Sequence, residues 1–201
     1  MNLKDFSTEE LARELLGRDV REAGGGFIAP VFKLIEKSVP LLCTDGIALR
    51  KNGSAYEAMA ILRGTGRYAG CYCSVGGRVF YRESLEGAMR RHFRTDVGAE
   101  IRMLRPWNRP LTMAQWVPVA VGEEPPPDFG PEERKHSVSL YFPVMLKGEV
   151  GNFGQGHGGQ EVKSVEWFTL DKLPPRNRWG FDQRQFFVTA LEEAATTGLI
   201  I

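Results

Sequence analysis

His92 and Asp96 stand four residues apart in the stretch from Gly76 to Ile101, with Thr95 beside them, Arg91 just before them and Glu83 upstream. Residues four apart share a helix face, so the imidazole and the carboxylate would sit side by side. A carboxylate, an imidazole and a backbone carbonyl can share a hard divalent ion, with water completing its shell. The Gly76-Gly77 pair lets the chain turn tightly and bring such a carbonyl close to a ligand. A helix starting near Ser84 would also point its N-terminus, the end that favours anions, at the same place. Read from these residues alone, the stretch is equally compatible with a solvated charged face.

The surrounding elements must position these groups. Pro40 to Leu49 and Tyr56 to Leu62 are two apolar runs joined through Asn52-Gly53, a strong hairpin signal. Tyr68 to Val75 reads as a further extended segment leading into the glycine pair. A helix is predicted over Ser84 to Asp96, followed by strands at Ile101 to Leu104 and Thr112 to Val121. Glu123 to Lys135, with Pro125-Pro126-Pro127, reads as a surface loop. Ser137 to Leu146 alternates as a strand, Gly148 to Gly159 is a glycine-rich loop, and Val162 to Phe168 is another strand. A final helix is predicted over Phe181 to Thr197. Upstream, residues 1–38 read as two short amphipathic helices, usually packing or dimerisation elements, which leaves a homodimer open. This order implies an α+β fold with a mixed sheet.

Composition sets the outer limits. At 201 residues the chain has room for one domain with extensions. A net charge of +1 gives no bulk field to attract nucleic acid or a membrane surface. No apolar run is long enough to span a bilayer and no secretory signal opens the chain, so a cytoplasmic location is expected. The three cysteines lack the thiolates or histidines at ligand spacing that a structural metal needs, and they read as reduced and partly buried.

The spacing Gly77, five residues, Glu83, seven residues, Arg91, with Phe93 and Gly98 following, resembles the box of the Nudix hydrolases, G-x5-E-x7-R-E-U-x-E-E-x-G-U. The register holds from Gly77 to Ala99, and Glu161 to Leu170 looks like the late strand of that family. The resemblance implies a Nudix-like α/β/α sandwich over residues 39–174. The segment 1–38 would be an N-terminal extension and 175–201 a helix packed on the domain. It also implies a hydrolase of nucleoside diphosphate derivatives using Mg2+ or Mn2+.

Three positions that carry acids in the box are His92, Thr95 and Asp96 here, so only one carboxylate remains. The stretch is similar in this to the GDP-mannose mannosyl hydrolase branch, which keeps only the last acid. That likeness implies a single divalent ion, a nucleoside diphosphate sugar as substrate, and water attack at carbon. It places the Gly76 carbonyl, Asp96 and Glu161 on the metal, with His92 as an added ligand that would shift preference towards manganese or zinc. Arg63 and Arg78 would hold the diphosphate, and Glu83 with Arg91 would orient the loop from behind. The branch's base follows its remote ligand, where this chain has Val162; the nearest imidazole is His157. A domain that binds nucleotide or sugar phosphate without cleaving it, and a pyrophosphatase with an altered metal shell, are the alternatives.

Overall fold

The computed structural model describes residues 37–66, 68–119, 125–126, 129–132, 135–151 and 161–198. The expected N-terminal helices, His157 and most of the glycine-rich loop lie outside the described residues. Nine strands form one mixed sheet: β1 Leu41–Asn52, β2 Ala55–Arg63, β3 Tyr72–Cys73, β4 Val75–Arg78, β5 Glu100–Met103, β6 Thr112–Pro118, β7 Phe129–Glu132, β8 Ser137–Lys147 and β9 Val162–Phe168. Two α-helices, α1 Leu85–Val97 and α2 Arg184–Thr197, complete it. The fold is α+β, with a helix on each face of a curled sheet.

The sheet forks, and the fork makes the cleft. One edge of β1 is paired throughout Leu41 to Ala48 with the parallel strand β8. The other edge changes partner: Cys43 to Gly46 pair with β4, and Ala48 to Asn52 pair with β2. β8 divides in the same way, to β6 through Ser137 to Tyr141 and to β5 through Val144 to Lys147. A strand flanked on both edges and covered on both faces must be apolar almost throughout, and β1 is buried from Cys43 to Leu49. Ile47 and Leu49 join the core under α2; Ala48 faces the core under α1.

Helix α1 has the start and stop its sequence promised. Ser84 Oγ accepts from the Gly87 amide at 3.0 Å, and Gly98 closes the helix in the left-handed region at φ 64, where a side chain is costly. Met89, Phe93 and Val97 then lie against Val75, Ile101, Phe142 and Val144, and Ala88 is buried on the same helix. Helix α2 buries Phe186, Phe187, Ala190, Leu191 and Ala194 against Ile47, Leu49, Ala58 and Ala60, so it completes the core itself.

Three expectations change. Phe129–Glu132, inside the predicted surface loop, forms a strand parallel to β6. Of Tyr68 to Val75 only Tyr72–Cys73 and Val75 are strand, because Ala69, Gly70 and Cys71 close turns onto Gly66, Arg63 and Tyr68. The last helix begins at Arg184, after a tight turn at Gly180–Asp182. Cys43 and Cys73 are buried and Cys71 half-buried, all three as free thiols. No helix among the described residues is long and apolar enough to cross a membrane.

Candidate functional site

The loop after β4 is tied to α1 by a compact set of bonds. Glu83 and Arg91 form a two-pronged pair, Nε to Oε1 at 2.8 Å and Nη2 to Oε2 at 2.7 Å. Arg91 Nη2 also donates to the Arg78 carbonyl at 2.8 Å, and the Phe80 amide donates to Glu83 Oε2 at 2.9 Å. The guanidinium lies 3.9 Å from the centre of the Phe80 ring. Burial opposes ionisation of Glu83, yet the bond from Arg91 holds its carboxyl below the usual range. These two residues therefore clamp both ends of the segment Arg78 to Glu83 onto the helix.

His92 completes that clamp, which is not the place expected of a metal ligand. Its Nε2 donates to the Arg78 carbonyl at 3.1 Å, and its ring lies under Gly77, where a Cβ would meet Cε1 at 2.8 Å. Burial first, and then the neighbouring Arg91 charge, push its pKa down to about 4. The sign follows from linkage. The unfolded imidazole takes a proton near pH 6.5 and the folded one does not, so stability is lost as pH falls from about 6.5 towards 4. At pH 5 the loss from His92 is about 2 kcal/mol. Urea titrations at pH 7.5 and pH 5 should show a drop in wild type larger by about that amount than in His92→Gln; equal drops would refute this role.

Around the clamp lies a cleft of about 360 Å3. Its lining brings together Gly76, Arg78, Asp96, Glu161 and Arg63, five of the residues singled out in the sequence, although Arg63 and Glu161 are 98 positions apart. Gly76 pairs with Asp45 across the strands, and a Cβ there would sit 2.5 Å from both Asp45 Oδ1 and the Thr44 carbonyl. Only glycine fits that approach.

Two carboxylates face the cleft from α1 and β9's leading edge. Burial pushes Asp96 up to about 6; a bond from Thr95 works against this, and the charge of Glu161 adds to it. Asp96 and Glu161 line the same cleft. Glu161 is also ion-paired with Arg63, whose Nε is buried without a partner. Among the described residues no three His, Cys, Asp or Glu side chains converge as metal ligands. Thr95 Oγ1 lies 2.9 Å from the Arg91 carbonyl and 3.0 Å from Asp96 Oδ1, so its hydroxyl is engaged on its own helix.

Three further arginines, Arg90, Arg94 and Arg105, are engaged elsewhere. Arg90 bonds Glu86 and the Ile101 carbonyl, Arg94 pairs with Glu100, and Arg105 pairs with Glu193. Of the large aromatics, Tyr141 and Trp116 are buried and Trp107 is exposed.

Sequence reasoning missed part of the cleft. Asp45, Ser74, Ser139, Lys135, Phe181 and Gln183 line it as well. A signal for Asp45 was available, since it is an acid inside an otherwise apolar run. Gln183 and Phe181 carried none, lying beyond the expected domain.

No curated protein matches the chain in sequence. Solved structures do match its fold. One described as a possible asymmetric diadenosine tetraphosphate hydrolase from Jonesia denitrificans is 23% identical, covers 78% of this chain and 96% of its own, and superposes at TM-score 0.63. The NUDIX domain of Shewanella oneidensis NrtR, solved with ADP ribose, is 17% identical over 78% of this chain and 89% of its own, at TM-score 0.55. A MutT NUDIX hydrolase from Burkholderia pseudomallei is 22% identical over 69% of this chain and 89% of its own, at TM-score 0.51. The chain therefore has the Nudix fold. The family model described as a domain of unknown function, DUF4916, matches residues 32–177, and it is to this family that the chain belongs.

Proposed function

We propose that the chain is a Nudix-type hydrolase of a nucleoside diphosphate derivative, working with one divalent ion in the cleft between β4 and α1. The observation that carries this is the convergence of two carboxylates, Asp96 and Glu161, with the guanidinium groups of Arg63 and Arg78 in one cleft beside Gly76. Two carboxylates and a backbone carbonyl are a hard oxygen set that suits one Mg2+ or Mn2+, and they are too few for a cluster of ions. Such an ion, held by Asp96, Glu161 and the Gly76 carbonyl, would supply charge to neutralise the diphosphate. Arg78 and Arg63 offer planar donors that match phosphate oxygens. Because Arg63 is already paired with Glu161, binding would divide that pair between substrate and ion. The clamp of Glu83, Arg91 and His92 fixes the strand that carries Gly76 and keeps the backbone preorganised. Proton removal from water is assigned to His157.

The finer reading is a nucleotide sugar such as GDP-mannose, with water attacking the sugar carbon and the nucleoside diphosphate leaving. Hydrolysis in oxygen-18 water distinguishes the bonds: label in the sugar marks carbon attack, and label in a phosphate marks pyrophosphatase chemistry. No turnover of nucleotide sugars, ADP-ribose or dinucleoside polyphosphates with either metal would overturn the hydrolase reading. The ion pair between Glu161 and Arg63 favours a second reading, a nucleotide-binding domain that does not cleave. Calorimetric binding without products would support it.

A further inference from the structure

Besides Asp96 and Glu161 the cleft is lined by a second set of residues that the proposed chemistry does not use. Asp45, 8% exposed, sits there on the central strand. Ser74 Oγ donates to its Oδ1 at 2.8 Å, and Ser139 on β8 supplies a second hydroxyl. The arrangement is held from behind: the Ser74 amide donates to Gln183 Oε1 at 2.9 Å, and Gln183 Nε2 donates to the Tyr141 hydroxyl at 2.9 Å. The wall is apolar and equally fixed. Phe181 and Trp116 line it, with the Trp116 indole donating to the Phe181 carbonyl at 3.2 Å. Phe181 and Asp182 both have left-handed backbones, at φ 54 and φ 51, conformations that non-glycine residues keep only where their surroundings over-determine them. The Arg176–Asp182 pair and the Tyr68 ring, 4.3 Å from that of Phe181, do so here.

We propose that this part of the cleft is a specificity pocket for the uncharged ring carried on the diphosphate, with Asp45 as the acceptor that reads a hydroxyl or N–H donor on it. The proposal rests on the reading that the cleft takes a diphosphate derivative. Lys135 and Arg63 are the cations that act on Asp45, so a diphosphate held by Arg63 and Arg78 would set its ring beside Asp45, against Phe181 and Trp116. Ser74 Oγ bonds one carboxylate oxygen, and a carboxylate offers about four acceptor positions, so capacity is left that a ligand donor would satisfy. A site built to bond a donor discriminates strongly against compounds that lack it, because its own polar group is then left unpaired. Phe181 and Gln183 come from the segment just before α2, so the C-terminal part of the chain shapes the pocket as well as the core.

The test is titration calorimetry of the full chain with ADP-ribose, GDP-mannose, diadenosine tetraphosphate and inorganic pyrophosphate in MgCl2, with hydrolysis followed in parallel. Wild type should prefer one ring-bearing compound. Asp45→Asn should weaken that compound about 10- to 100-fold, flatten the preference and leave pyrophosphate unchanged. Deoxy-sugar and hypoxanthine analogues of the preferred compound show whether the donor is on the sugar or the base. Equal weakening of all compounds including pyrophosphate, or a preference indifferent to Asp45, overturns the proposal. Should Asp45→Asn unfold, Ser139→Ala, which removes one hydroxyl bond, must shift the preference in the same direction or the proposal fails. Ring preference that depends on Asp45 without any cleavage would uphold the pocket and refute the hydrolase. Cleavage with a preference indifferent to Asp45 would do the reverse, and binding of none of the compounds refutes both.

Discussion

Asp96→Asn is expected to abolish turnover and to make the protein more stable. The carboxylate is largely buried beside Glu161 and is pushed up to about 6 by burial, partly offset by Thr95 and reinforced by the Glu161 charge. Its folded pKa therefore lies above the unfolded value near 3.9, and its charge destabilises the fold at every pH above 6. The asparagine keeps the shape without the charge. Stability at pH 8 should rise by about 1–2 kcal/mol after allowance for the solvent that reaches the cleft. The gain should shrink as pH falls through 6 and vanish near pH 4, where the acid is protonated in both states. Activity should fall at least about 100-fold, the usual scale for removing one electrostatic stabiliser of a transition state. MnCl2 should raise the melting temperature of wild type and leave that of the variant unmoved, since only a group that binds the folded state stabilises it. Urea denaturation at pH 8 and pH 5 checks the first part. A variant less stable at pH 8, or one that still turns over at the wild-type rate, would show that Asp96 is an ordinary helix-surface acid.

Local backbone demands decide which parts of the molecule could be read from its sequence. The loop and helix from Gly77 to Gly98 were legible because their glycines and their ion pair answer backbone demands that any chain folding this way must meet. Gly98 supplies the left-handed cap, Ser84 the N-cap, and the spacing of Glu83 and Arg91 lets one reach the other across the loop. Asn52-Gly53 announced the β1–β2 hairpin for the same local reason, with Gly53 at φ 61. The spacing of Phe186, Phe187, Leu191 and Ala194 announced α2.

What could not be read was made by the fork in the sheet. Asp45, Ser74 and Gln183 meet over 29 and 109 positions, through strand pairings that no local pattern encodes. His92 was read as a ligand from its type, and no local pattern announced the close approach of Gly77 that sets its ring beneath the strand. Phe129–Glu132 was read as loop because Pro125-Pro126-Pro127 and several charges stand around it, whereas it pairs with β6 as the last strand in the sheet order.

The largest loss of stability should come from Arg91→Ala. This one guanidinium joins Glu83, the Arg78 carbonyl and the face of Phe80, so it holds the loop at both ends. The side chains of Arg91 and Glu83 are only 25% and 19% exposed. Removing the cation leaves a half-buried carboxylate and a carbonyl without their donor, which should cost about 2–4 kcal/mol, below the full penalty of a deeply buried pair. Glu83→Gln keeps two of the contacts and should cost less. The double variant should fall short of the sum by about 1–3 kcal/mol, the mark of residues in one network. Arg91 also supplies the second-largest push on His92, so its loss should bring that imidazole back towards its ordinary pKa and weaken the acid sensitivity of the protein. Because Gly76 and Arg78 are carried on the same strand, cleavage should be lost together with the clamp, even under conditions where the variant remains folded. A variant that folds, turns over normally and keeps the wild-type drop in stability at pH 5 would mean that β4 is held by the sheet alone.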